Sequence, residues 1–193
     1  MTVTSFKRRI ISRLKTGSLD EVLAEVRRLP PRQAVSPLIA GLSHAGGNVK
    51  WHAVSALGVV MAVLAEEDME AARNIMRRLM WSLNDESGNI GWGVPEAMAE
   101  ILANHDGLAE EYAHILVAYM REDGSYLNLT PLQRGLCGAS AVLPRQGVIS
   151  SKNGRLLLTF YPIWIQKTRR CGDSLHAPWV SCKLKGQKGS LQS

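Results

Sequence analysis

Asn48-Val49-Lys50-Trp51 returns as Asn89-Ile90-Gly91-Trp92, and Ala56-Leu57-Gly58 returns as Ala97-Met98-Ala99, all displaced by 41 residues. A period in the low forties, carried by helical text, constrains this chain more than any other feature. Each period has the length of one helix pair, and such a pair stays dry on its apolar side only against a neighbouring pair. The repeat therefore predicts an all-α chain that grows by stacking and offers an extended surface to partners instead of a reaction centre.

Apolar spacing places the helices. Phe6, Ile10, Ile11 and Leu14 lie on one side of a first amphipathic helix. Thr16-Gly17 ends it, and Ser18 with Glu21 three residues on predicts a capping box. Leu19, Val22, Leu23, Val26 and Leu29 supply the next apolar face, up to the stop at Pro30-Pro31. A third helix is expected over 32–43 with a kink at Pro37, then a turn at His44-Ala45-Gly46-Gly47. Over 48–65 the stripe Val49, Ala53, Ala56, Leu57, Val60, Met61, Leu64 predicts a core-facing helix. Asp68 or a neighbour opens a helix burying Ala72, Ile75, Met76, Leu79, Met80 and Leu83, followed by a turn over 84–88. The last pair carries Ala97, Met98, Ile101 and Leu102, then Tyr112, Ile115, Leu116 and Tyr119 over 108–120, before a turn at Asp123-Gly124. Pro131-Leu132-Gln133-Arg134-Gly135 should begin a further inner helix.

Composition breaks at that point. Up to Gly135 there are 14 Lys and Arg against 16 Asp and Glu, a formal charge of −2; from Leu136 the counts are 9 and 1, or +8. Cys137, Cys171 and Cys182 all fall in the second stretch, where helical periodicity is lost. A disordered basic tail is one account, but Phe160-Tyr161-Pro162-Ile163-Trp164-Ile165 is too apolar for a solvated segment. The other account is a shifted reading frame near Leu136. In a codon starting on the third base of each residue's codon, the last two bases are fixed by the next residue. Read in that way, Leu136 through Leu143 permits LWGIGRLA, with a glycine at position 140, two periods of 41 beyond Gly58. Ile163 through Ser181 permits LDPEDPAVRGFAARAMGKL. Resequencing the gene tests this reading. We expect a helical-repeat domain over 1–144 and an irregular or disordered basic tail over 145–193, derived from the shift.

The period resembles the HEAT and armadillo class, and the second alternative-frame string, with its Asp-Pro loop, Val-Arg, small residues and Gly-x-Leu, resembles the HEAT-like repeats grouped with phycobilisome-lyase-type proteins. The resemblance covers Pro37 to about Gly135 and resumes only in the alternative frame. It implies a right-handed α-solenoid of antiparallel helix pairs acting as a non-catalytic scaffold, with another protein bound along its concave surface. Relatives of this kind also include bilin lyases and isomerases, which handle a chromophore, and nucleic-acid-binding proteins.

A sequence pI of about 9.5 would ordinarily point to nucleic acid or an anionic membrane, but the excess charge belongs to the stretch after Gly135. With that stretch discounted, nucleic acid is disfavoured as a partner. The absence of cysteine before Leu136 fits a reducing compartment. Lys7, Arg8 and Arg9 precede only a short apolar run, unlike a secretory leader. The apolar stretch Ala53 to Ala65 falls short of the roughly 20 residues a bilayer needs, so a soluble, cytoplasmic protein is expected and a membrane is not.

At about 100° per residue, Trp51 lies nearly opposite the core stripe with Ser55, Gly58 and Ala62; Trp92, Glu96, Ala99 and Ala103 hold the equivalent places one period on. Small residues there allow successive inner helices to approach closely. Trp51, His52, Trp92, Glu96 and Glu100 are the candidate partner-binding residues, since aromatics with a polar edge make good anchors. Pro95 argues that its helix starts late, with Pro95 at the first position. Glycines ahead of freed amides can cradle an anion, but no Lys-Ser/Thr pair follows over 88–96 and a long loop is the expected reading. His44, His52, His105 and His114 lack metal-binding spacing, and His105 sits where a cation suits a helix C-terminus. Ser55 and Ser82 have no nucleophile-elbow context. Glu96 and Glu100 could share a proton, although a solvated ridge is the expected setting. No catalytic constellation, metal site or cofactor is expected. Arg73, Arg77 and Arg78 follow Glu66, Glu67, Asp68 and Glu70, the ordering that complements a helix dipole.

Overall fold

Ser18 Oγ accepts from the Glu21 amide at 3.4 Å, and the Ser18 amide donates to Glu21 Oε2 at 3.1 Å. The expected capping box thus opens a helix at Leu19. The computed structural model describes residues 3–44, 47–83 and 91–120, with Gly124, Leu132, Gly135 and Leu136. Its elements are α1 (Val3–Thr16), α2 (Leu19–Val26), α3 (Pro31–Leu42), α4 (Gly47–Glu67), α5 (Met69–Leu83), α6 (Val94–Asn104) and α7 (Asp106–Ala118). Among the described residues regular structure is helical throughout.

Local chemistry accounts for the boundaries. Pro31 starts α3 at a position whose N–H would be unsatisfied anyway, while Pro37 lies inside the helix with its ring buried. Asp68 Oδ1 accepts from the Ala71 amide at 2.9 Å and so caps α5, as expected; its Oδ2 pairs with Arg32 on α3. The α6–α7 corner differs from expectation. His105 Nδ1 accepts from the Leu108 amide at 3.1 Å, so this side chain caps the start of α7 and does not act as a cation at the end of α6. An accepting Nδ1 carries no proton, which leaves Nε2–H facing Glu66 Oε1 at 3.5 Å.

α4 is the central element and packs against α1, α2, α3, α5 and α6. All seven residues of its expected stripe are buried, but so are Val54, Ser55 and Gly58 on the other side. Neighbours on both flanks bury α4 nearly all round, and Gly58, opposite the stripe, admits the close helix approach that the small residues there predict. Small residues set the spacing. A Cβ added at Gly41 would lie 2.9 Å from Ala53 Cβ, and one at Gly58 would lie 2.7 Å from Glu100 Cγ, so α3 and α6 approach α4 where no side chain intervenes.

The stretch Asn48–Glu67 is, by length and mean hydropathy, capable of crossing a membrane, contrary to the estimate from the uncharged run alone. The helix extends beyond that run at both ends. However, 61% of the apolar stretch is buried inside the fold, so its apolar surface already faces protein.

The α6 helix is buried from Val94 to Ala103. In α7, Tyr112 and Leu116 point inward as expected, Tyr119 just beyond its end is buried, and Ile115 is half-buried. Burial pushes the Tyr112 hydroxyl above its ordinary pKa of 10.0. The α5 and α7 helices are braced by Arg73, whose Nε lies 2.9 Å from Glu111 Oε2 and whose Nη2 lies 2.5 Å from Oε1. Hydrogen bonding to Arg73 holds the Glu111 carboxyl below 4.5. Leu132, Gly135 and Leu136 are helical and buried, in keeping with the start of a further helix there. The turn over 84–88, Asn89, Ile90, Asp123, the three cysteines and the stretch 145–193 lie outside the described residues, so the proposed tail and frame shift do too.

Candidate functional site

Gly93 is the hinge of the candidate region. Its φ of 74° is left-handed, a conformation that suits glycine, and a Cβ there would come within 3.1 Å of both Leu42 O and Lys50 Cε. The turn starts α6 at Val94, which puts Pro95 at the second position, one later than expected, and Glu96 at the third. A carboxylate in the first turn complements the helix dipole, so Glu96 occupies the role that an external anion would have played there.

Glu96 is 4% exposed. Lys50 Nζ on α4 donates to its Oε1 at 2.6 Å and also stands 4.7 Å from the centroid of the Trp51 ring, a cation–π distance. On its other side the carboxylate fits against Gly135, where a Cβ would lie 2.6 Å from Oε2. One acidic side chain therefore touches α4, on the preceding side, and the helical segment at Gly135, on the following side.

Glu100, one turn on, is 3% exposed and lies against Gly58. The Asn104 side-chain Nδ2 donates to the Glu100 backbone carbonyl at 2.7 Å. The solvated acidic ridge expected from the sequence is thus absent; both carboxylates are inside, because α4 and α6 pack through this face. His52 is half-buried and its Nδ1 meets the Leu14 carbonyl at 3.0 Å, an arrangement in which the ring donates and ties α4 to α1.

The two tryptophans diverge. Trp51 is half-buried within the first turns of α4, whereas Trp92 is 44% exposed in the turn before α6. The helices that follow the two Asn-x-x-Trp segments do not start in register, because the Gly93 turn delays the second one. At Gly91, the counterpart of Lys50, a Cβ would lie 3.0 Å from the Ser82 carbonyl, so the chain has no room for a second lysine.

The structure thus brings Trp51, Glu96 and Trp92 to one end of the α4–α6 contact, and places His52 and Glu100 in internal contacts. Lys50 is the residue that the sequence reading missed. Its signal was isolation: it is the only Lys, Arg, Asp or Glu between Arg32 and Glu66. Among the described residues no group of His, Cys, Asp or Glu could hold a metal ion. A separate open groove of about 520 Å³ lies between α1 and α2, where Arg9 and Arg13 are already engaged by Glu25 at 3.7 and 2.9 Å. No family model, curated protein or solved structure matches the chain.

Proposed function

We infer that the chain is a helical-repeat scaffold, a right-handed stack of antiparallel helix pairs, that binds another protein through the surface bearing Trp92 and the open edge of Trp51. The direct packing of α4 on α6 and the Arg73–Glu111 brace between α5 and α7 support the stack, since both join like members of consecutive pairs. The observation that carries the binding reading is Trp92: a large aromatic, 44% exposed, on a turn seated against α3 and Lys50. In this reading Lys50 and Glu96 position the turn, and His52 and Glu100 hold α4 against α1 and α6. In this reading the role is non-catalytic.

The test is capture of a partner by the full chain and by its frame-corrected form. Trp92→Ala and Trp51→Ala should lose the partner while the far-exposed Trp81→Ala retains it. A partner held equally by all three variants would end this reading. New visible absorption on adding a bilin would favour chromophore handling instead, and salt-sensitive retention of DNA would favour nucleic acid.

A further inference from the structure

Trp81 is 79% exposed, the most exposed large apolar side chain among the described residues. It is not isolated. Glu70, Asn74, Arg77, Arg78 and Trp81 are all exposed on α5, and at about 100° per residue they fall within one stripe roughly 100° wide. The opposite side of α5, with Ala72, Met76, Leu79 and Leu83, is buried. The stripe is therefore a complete outward face.

Its charges are ordered along the axis. Glu70 stands near the start, where it takes Arg77 Nη1 at 2.9 Å and Arg73 Nη1 at 3.4 Å. Arg78 stands near the end, beside Trp81, and makes no ion pair among the described residues. With Glu67 just ahead of α5 also exposed, acidic and basic groups on the face balance. A polyanion or a polycation would meet like charge over half of such a surface. An antiparallel copy of the same face would not: about a two-fold axis at Asn74, Arg78 of each chain meets Glu70 of the other, and each Trp81 lies over the other helix's acidic start.

We propose that the outer face of α5 is a self-complementary docking surface for a second copy of this chain, packed antiparallel, with Trp81 as its apolar anchor and Arg78–Glu70 as its two equivalent cross-pairs. Isologous contacts of this kind require that each interaction occur twice. Trp and Arg are the residue types that dominate such interfaces. A face of 15 residues is about 22 Å long, which places the contact at the small end of specific interfaces, with association on the order of micromolar.

Sedimentation of the full chain at about 100 μM, well above a roughly micromolar Kd, reads the outcome. The parent should run at twice the monomer mass, and the dimer should weaken as salt rises. Trp81→Ala should weaken association at least about tenfold. Arg78→Glu and Glu70→Lys should each be monomeric, since each faces like charge twice. An equal mixture of those two variants should dimerise again, because both cross-pairs then join opposite charges. Arg78 makes no ion pair among the described residues, so circular dichroism should show Arg78→Glu folded like the parent. A monomeric parent overturns the proposal, as do single variants that dimerise normally or a mixture that stays monomeric. A monomer that instead retains an acidic polypeptide or nucleic acid through Trp81 overturns it equally.

Discussion

Glu100 Cγ occupies the space beside Gly58, 2.7 Å from where a Cβ would stand, so the closest approach of α4 and α6 depends on a missing side chain. The Glu100 backbone carbonyl and Asn104 Nδ2 crowd the same point at 3.1 and 2.9 Å.

Gly58→Ala is accordingly expected to destabilise the fold. Helix propensity alone would favour alanine by about 0.5–1 kcal/mol. Overpacking against a carbonyl that cannot move aside costs about 1–3 kcal/mol, and this effect wins. Urea denaturation should show a lower midpoint at unchanged slope; a higher midpoint would mean that the two helices separate at little cost.

Lys50→Met should cost about 3 kcal/mol, because it leaves the Glu96 carboxylate buried without its cation. The double variant Lys50→Met with Glu96→Met should recover most of the loss, since apolar pairs of similar volume replace buried ion pairs at little cost. A double-mutant cycle by chemical denaturation measures the coupling. Additive losses would show that the 2.6 Å contact contributes nothing as a pair.

Trp92→Ala should leave the unfolding free energy within about 0.5 kcal/mol of the parent while abolishing partner capture. Exposed aromatics away from a core contribute little to stability, so the split between the two readouts separates binding from folding.

Acid sensitivity follows from the α5–α7 brace. Arg73 holds the Glu111 carboxyl below its ordinary 4.5, and Arg77 does the same for Glu70. A depressed folded-state value means stability that is present above the unfolded value and lost as pH falls through the folded one. The thermal midpoint of the parent should thus fall as pH is lowered below about 4.5, and Glu111→Gln should flatten that fall. Identical acid profiles would show the brace to be inert.

Helix content was legible because the signals were local. The Ser18–Glu21 box, the Asp68 cap and the stripe of α4 depend on residues a few positions apart and stand where the spacing placed them, while in the α5 stripe Ala72, Met76, Leu79 and Leu83 are buried and Ile75 and Met80 half-buried. The site was less legible because its chemistry joins distant segments. Nothing near Glu96 in sequence says that Lys50, 46 residues earlier, will neutralise it, or that Gly135 will make room for it. The same holds for His105: a histidine between two helices reads as a cation for one or a cap for the other, and only the position of the Leu108 amide decides.

A further helix that begins at Leu132 and Leu136 but lacks its continuation would leave apolar surface wet, at roughly 25 cal/mol per Å². The frame-corrected chain should melt higher and aggregate less than the chain as it stands; equal melting and solubility would count against the shift.

The left-handed turn at Gly93 bears on how Trp92 would meet a partner. Backbone wedged between the end of one helix and a lysine stem cannot swing widely, so the Cα–Cβ bond of Trp92 leaves the turn along a direction fixed before any encounter. Little backbone ordering entropy then remains to be lost on contact, and a complex made through this ring should be distinguished by slow departure more than by fast arrival.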